Sequence, residues 1–557
     1  MAPQKNTKKT HLRLVKSAPH SVTLNTELEH LRRLSGRDKY RAIIASTHSA
    51  ALVQAMPPQD LFLLVKELGE ADVPELLSMA SSEHITLFVD MDCWHEDSMD
   101  AVDAQFWLQQ LQSMSNEDTL RLIDGMDFDL LALLFKKQLH ITSGLEALDD
   151  DEREEPRLRR DQLYEYEYRD PEQAKWIEAL LDLLFSERQS LYLQVMETVR
   201  HETELVFEEE VYRDRNGRMA DLGFIETYEA RELRAWLDPK EFDPAAFTKD
   251  QADFAPEYSG VPVPGFALTV THPRDLLADV MGNSMNDALC QELTYLLNRA
   301  MSADQVDIGD STQVQESLED VYNYLNIALG YLAGSDVSRA TEMFEQVYLQ
   351  SLYRLGFNLT AALQRRARIV GKSPAGPYLD GPNAALITAL NQTKPRFYSG
   401  VESDTRADER PFRNYNDVEA VSAELSTIEA LLPLFGAKGV FNIPAPDELD
   451  MDGCIPPQAS EVTLSELFLT AIANQILGHD PTPEPIPAAE LETLHQALHA
   501  EANFTELRQQ THAWLESLAP GSGAFSEFCF DIWEHEFYAL KPENLQPQYV
   551  GGLLIRL

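Results

Sequence analysis

From Met56 to Leu139 the chain repeats one short arrangement of apolar and polar positions. Six segments share it: 60–68, 72–79, 83–91, 103–111, 118–126 and 128–135. Each opens at or near an acidic residue, often after Ser, Asn or Pro, and then carries apolar residues at three- and four-residue spacing. Ser, Asn and Asp satisfy the free N–H groups of a helix start, and acidic groups suit its positive end. The pattern therefore predicts six short helices with cores at Leu64, Leu76, Leu87, Trp107, Leu122 and Leu134, in steps of 12, 11, 20, 15 and 12 residues. Helices of two or three turns do not persist alone in water. They must stack, as in a helical solenoid, and the uneven steps make the repeat a degenerate one.

The rest of the chain is read the same way. Leu28, Leu31, Leu34 and Tyr40 predict a helix over 26–48. Residues 163–168 alternate with period two, a strand signal, and residues 138–142 supply a partner for a small hairpin. Pro171 opens a helical stretch through Trp176, Leu180, Leu184, Leu191, Val195 and Val199, read as two helices. Helix resumes over 272–300. A helical hairpin follows over 318–355, with Ala328, Tyr331, Ala340 and Phe344 at tetratricopeptide-like offsets and Ser335 or Asp336 capping its second arm. Further helices are expected at 418–435, 464–477 (buried), 488–500, 503–518 and 524–539, and the apolar tail 549–555 suits a groove.

The expected fold is mainly α: right-angled stacks of short helices in a superhelical array, followed by helical-bundle domains, with at most a small β-hairpin. The expected segments are a disordered basic tail (1–22), the short-helix repeat domain (23–145), an acidic loop with a strand (146–170), a helical domain (171–240) and a Pro-rich connector (241–265). A helical domain with the hairpin (266–375), a loop (376–415) and a C-terminal helical domain with Pro-rich linkers (416–557) complete the chain. Its 557 residues suit about three or four domains.

Charge narrows the function classes. The 92 acidic residues outnumber the 46 basic ones, a net charge of −46, which repels phosphate backbones and argues against nucleic-acid binding. Excess acid is chiefly a solubility device. Cys93, Cys290, Cys454 and Cys529 are too dispersed for a redox pair or zinc cluster and fit a reducing compartment. No apolar run approaches the ~20 residues of a membrane span, and residues 1–16 lack a signal-peptide core. A cytoplasmic location is expected.

Candidate chemistry is sparse. Potential ligands crowd between Asp90 and Asp97, and Asp90, Asp92, His95 and Glu96 are the candidates for a bound cation, Mg2+ among them. The competing reading is a solvated loop anchored by Trp94, preferred because the ligands follow no recognised spacing. His201-Glu202 lacks the second histidine of a zinc-protease motif, and the carboxylates from Glu202 to Glu210 read as a solvated helix face. Glu534, His535 and Glu536, as consecutive helical residues, point in different directions. Gly371-Lys-Ser lacks the upstream glycine of a phosphate loop, Arg366 standing there instead. The basic run 365–372 either pairs internally or docks an acidic partner.

Two resemblances follow from these residues. Met56-Pro-Pro-Gln-Asp-Leu, Met79-Ala-Ser-Ser-Glu and Met114-Ser-Asn-Glu-Asp, alternating with Leu-Leu cores, resemble the N-terminal cytosolic superhelical domain of MgtE-type magnesium transporters. The transporters' later modules and membrane pore have no counterpart here, so transport is not implied. Residues 209–224, Asp90-Met-Asp-Cys-Trp94, Tyr295-Leu-Leu-Asn-Arg299 and Tyr353-Arg-Leu-Gly-Phe357 resemble a bacterial family of unknown function, which implies one integral architecture and no catalytic residue. The activity is unknown from sequence. The expectation is a non-catalytic scaffold or adaptor with a protein partner, of undetermined oligomeric state. The alternatives are a divalent-cation-responsive regulator and an enzyme whose site is assembled from distant residues.

Overall fold

The computed structural model describes residues 19–31, 34, 36–69, 73–144, 163–249, 275–403, 406–436, 439–500 and 503–557. Most of the basic tail, the acidic charge run 149–155, residues 250–265 of the connector and the His272 helix start lie outside the described residues. The described chain is mainly helical, with four small sheets. Among the described residues no helix is long and apolar enough to cross a membrane. Two compact units are interleaved along the sequence: 1–233, 249–273 and 281–321 form the first, and 234–248, 274–280 and 322–557 form the second.

The first unit begins with α1 (Pro19–Leu31) and α2 (Gly36–Ala45). The single helix expected over 26–48 is broken because Gly36 takes a φ of +46°, which a side-chain-bearing residue adopts only with strain. The array follows as α3 (Ser49–Ala55), α4 (Pro58–Leu68), α5 (Pro74–Met79), α6 (Ser82–Asp92), α7 (Ala101–Ser113), α8 (Asn116–Asp124) and α9 (Phe128–Lys136). All six expected core positions are buried. Local chemistry sets the helix starts. Pro58 and Pro74 occupy first-turn positions, where no N–H is needed. Asp100, Ser115 and Asp127 accept hydrogen bonds from N–H groups of α7, α8 and α9. The 20-residue step between Leu87 and Trp107 has a structural cause: a two-residue hairpin, β1 (Trp94–His95) and β2 (Ser98–Met99), is inserted between α6 and α7.

The period-two stretch is a strand. β3 (Leu139–Ser143) pairs antiparallel with β4 (Glu165–Tyr168), Leu139 opposite Tyr168 and Ile141 opposite Tyr166. Then come α10 (Ala174–Glu187), α11 (Gln189–His201), α12 (Glu204–Asp221) and the single turn α13 (Thr227–Ala230). The face of α12 is only partly solvated. Glu208 is buried, accepts from the Met99 N–H at 2.6 Å and pairs with Lys137 at 2.8 Å, so it ties the inserted hairpin and α9 to α12. α14 (Leu276–Ser284) runs across a division between the units, and α15 (Asp287–Asp304) lies wholly in the first. Gly223, at φ +93°, lets Tyr295 of α15 lie against the backbone, where a Cβ would come within 2.3 Å of its ring.

The boundary with the second unit falls inside α16 (Ser311–Ala333). Asp336 caps α17 (Val337–Gln346), so the expected hairpin is present, with Ala328, Ala340 and Phe344 fully buried. Next come α18 (Leu349–Gly371), α19 (Gly381–Leu390), the two-stranded pair β5 (Phe397–Tyr398) and β6 (Glu409–Arg410), and α20 (Tyr415–Glu429). The basic run is used internally: Arg366 pairs with Glu429 at 2.8 Å and Arg365 stacks on Trp236. The C-terminal core is built on α21 (Leu464–Leu477), buried along most of its length, with α22 (Leu491–His499), α23 (Asn503–Leu518) and α24 (Gly523–Trp533) around it. Val550, Leu553, Leu554 and Ile555 of the tail are buried there, whereas Tyr549 is exposed. β9 (Ile555–Arg556) lies between β7 (Cys454–Ile455) and β8 (Ile486–Pro487).

Candidate functional site

The first unit contains a cleft of about 570 Å³. Its walls are the end of α6, the inserted β1–β2 hairpin, one face of α12, the segment 224–229 and the end of α15 with residues 305–308. The hairpin delivers Trp94, His95 and Glu96, and the helical spacing of α12 puts Tyr212, Arg215, Asn216 and Met219 on one face. Among the described residues, two non-glycine residues have φ in the left-handed region, Glu96 at 57° and Gln305 at 53°. Both line the cleft. Such backbone costs on the order of 1 kcal/mol or more per residue and tends to be kept where function needs it.

Arg215 is the central feature. Its guanidinium lies over the rings of Trp94 and Tyr212, 5.6 and 5.7 Å from their centroids, and those two rings are 5.5 Å apart. Nε donates to the main-chain oxygen of Asp90 at 2.8 Å, and Nη1 donates to Asn216 Oδ1 at 3.3 Å. Among the described residues Nη2 has no hydrogen-bond partner, and neither has the buried indole N–H of Trp94. Burial works against the Arg215 charge and the Asp90 carboxylate supports it. Glu96, Glu226, Glu229 and Asp307 line the same cleft, and Glu226 accepts from Asn216 Nδ2 at 2.9 Å.

The four residues singled out from sequence go to different places. Asp90 is fully buried and takes two hydrogen bonds from Arg218, at 2.6 and 3.0 Å. Burial pushes its carboxyl up, and Arg218 opposes that shift. Asp92 pairs with Lys66 at 2.7 Å and accepts from the Trp107 indole N–H at 2.8 Å. Glu96 is exposed at the hairpin turn. His95 meets two other carboxylates: its Nε2 lies 3.5 Å from Asp103 Oδ2, and one ligand atom each from His95, Asp100 and Asp103 fall within 4.8 Å of one another. Burial, then the charges of Asp100 and Asp92, push the Asp103 carboxyl up. The sequence signal for this trio is an Asp cap with a second Asp three residues on, facing a histidine in the preceding turn. Arg215 left no such signal, because two of its partners, Asp90 and Trp94, lie more than a hundred residues upstream.

Residues 17–556 match the family described as Family of unknown function (DUF6178). No curated protein and no solved structure matches the chain.

Proposed function

Because the chain belongs to that family of unknown function, and the family assigns no activity, we propose a role from the geometry: a non-catalytic cytoplasmic helical scaffold or adaptor that binds a protein partner through the first unit's cleft. One observation carries the reading. Arg215 is held against two aromatic rings and a main-chain oxygen, with an N–H still available, in a concave site of the size ligands occupy. A cation stacked on aromatic faces and fixed in advance loses little freedom on binding, which is what a recognition anchor requires. The test is affinity capture by the full-length protein in lysate of its native host, with Tyr212→Ala as the comparison. A stoichiometric partner held by the wild type and lost by the variant is the expected result. A partner retained equally by both, or none at all, overturns the proposal.

A second reading, a divalent-cation-responsive protein, is favoured by the His95–Asp100–Asp103 trio and by the resemblance of the array to that of the magnesium transporters. One imidazole and two carboxylates suit zinc or manganese better than the all-oxygen preference of magnesium. Titration calorimetry with each of the three ions decides it. Heat that disappears in Asp103→Asn supports the reading, and no heat from any ion removes it.

A further inference from the structure

We infer that the cleft takes the free carboxyl terminus of a peptide chain, with an apolar last residue and a basic residue upstream. This rests on the binding reading above and specifies its ligand. The inference starts from what the cleft lacks. Arg215 Nη2 is a donor at the stacked wall, and it has no acceptor among the described residues. A carboxylate is the acceptor that matches a guanidinium in charge and shape.

The rest of the lining narrows the class. Met219, Phe224, Met301 and Ile308 supply apolar wall for a hydrophobic side chain. The lining holds four acidic residues, Glu96, Glu226, Glu229 and Asp307, and one guanidinium. That balance disfavours phosphates and nucleotides, whose multiple negative charges gain at one arginine and lose at four acids. It suits a ligand carrying one carboxylate at one end and a positive charge some distance away. At about 570 Å³ the cleft is larger than one amino acid needs and fits several residues. A side-chain carboxylate in mid-chain would bring two flanking backbones to the wall, whereas a chain end brings one.

The probes are the tetrapeptide Lys-Ala-Val-Leu with a free carboxyl group, the same peptide as its C-terminal amide, and ATP, each titrated calorimetrically into the full-length protein. The free acid should bind at least tenfold more tightly than the amide, and ATP should give no heat. Arg215→Gln should abolish the difference between acid and amide. Arg215→Lys keeps the charge but loses the planar fork, and should weaken the acid selectively. It also serves as the test if Arg215→Gln fails to fold, as judged by circular dichroism. Equal binding of acid and amide, tighter binding of ATP, or no binding of either peptide at millimolar concentration overturns the inference. If a Tyr212-dependent partner is nevertheless captured, the adaptor reading stands and only the carboxylate assignment falls.

Discussion

Gln59 and Asn298 stand 239 positions apart and bind each other through both ends of their side-chain amides. Gln59 Nε2 donates to Asn298 Oδ1 at 2.7 Å, and Asn298 Nδ2 donates back to Gln59 Oε1 at 2.9 Å. Both are buried, and Asn298 Nδ2 also donates to the Leu222 oxygen at 2.6 Å. Removing either partner strands the other in an apolar setting. Gln59→Ala and Asn298→Ala should each destabilise the protein by about 2–4 kcal/mol, the cost of a buried unsatisfied amide plus lost packing. In denaturant titration the double variant should cost clearly less than the sum of the two.

Asp90 and Arg218 give a second test. Asp90→Asn removes a bidentate acceptor from an arginine whose side chain is 23% exposed. The cost should be about 2–3 kcal/mol, below the ~3–5 of a fully buried pair because Arg218 keeps some solvent. The hydrogen bond to Arg215 uses the main-chain oxygen of Asp90 and survives the substitution. Peptide affinity should therefore change little while stability falls. A large loss of affinity in a folded Asp90→Asn protein would show that the carboxylate, not the main chain, positions Arg215.

Stability should weaken in mild acid, and His84 is one reason. Its Nδ1 accepts from the Ser81 N–H at 3.2 Å and its Nε2 faces the Met56 oxygen at 3.0 Å, so the neutral ring is satisfied on both sides. Burial holds its pKa below the ordinary 6.5, outweighing the Met56 contact. The unfolded chain then binds the proton more readily than the folded one, so stability is full above 6.5 and is lost as pH falls towards the depressed folded value. Protonating Nδ1 also sets two N–H groups against each other at the start of α6. Thermal melts between pH 7.5 and 5 should show the decline, and His84→Gln should reduce its slope.

Two glycines should respond oppositely to alanine. Gly217 sits inside α12 with nothing within 4 Å of a new Cβ, so Gly217→Ala should stabilise by about 0.5–1 kcal/mol. Gly356 sits inside α18, where a Cβ would lie 1.9 Å from the Tyr324 main-chain oxygen. A backbone atom cannot swing aside, so the clash outweighs the helix preference, and Gly356→Ala should cost about 1–3 kcal/mol or more. Melting temperatures moving in the same direction would contradict the close approach of α16 and α18.

The sequence revealed what local periodicity controls. The six array helices, their buried core positions and the pairing of 139–143 with 165–168 follow from spacing and caps alone. The long step before Trp107 was visible as an irregularity, but its cause, a two-residue hairpin, is too short to leave a pattern. The cleft was hidden for another reason. Arg215 meets Trp94 and Asp90 only after α12 packs on α6, and Glu208 looks like any exposed helix glutamate until Lys137 and the Met99 N–H reach it. Of the suspected cation ligands, His95 alone belongs to a cluster, and its companions Asp100 and Asp103 look like ordinary helix-start residues.

The interleaving of the two units bears on synthesis. Translation at roughly 5–20 residues per second separates the emergence of Gln59 from that of Asn298 by about 12–48 s. Throughout that interval the array leaves the ribosome with its amide at Gln59 uncovered, while stretches destined for the other unit emerge in between. A nascent chain in this state exposes the surface that α15 later covers, which is the kind of surface a chaperone holds. Because each unit is assembled from three separate stretches, no single cut in the chain releases either one whole.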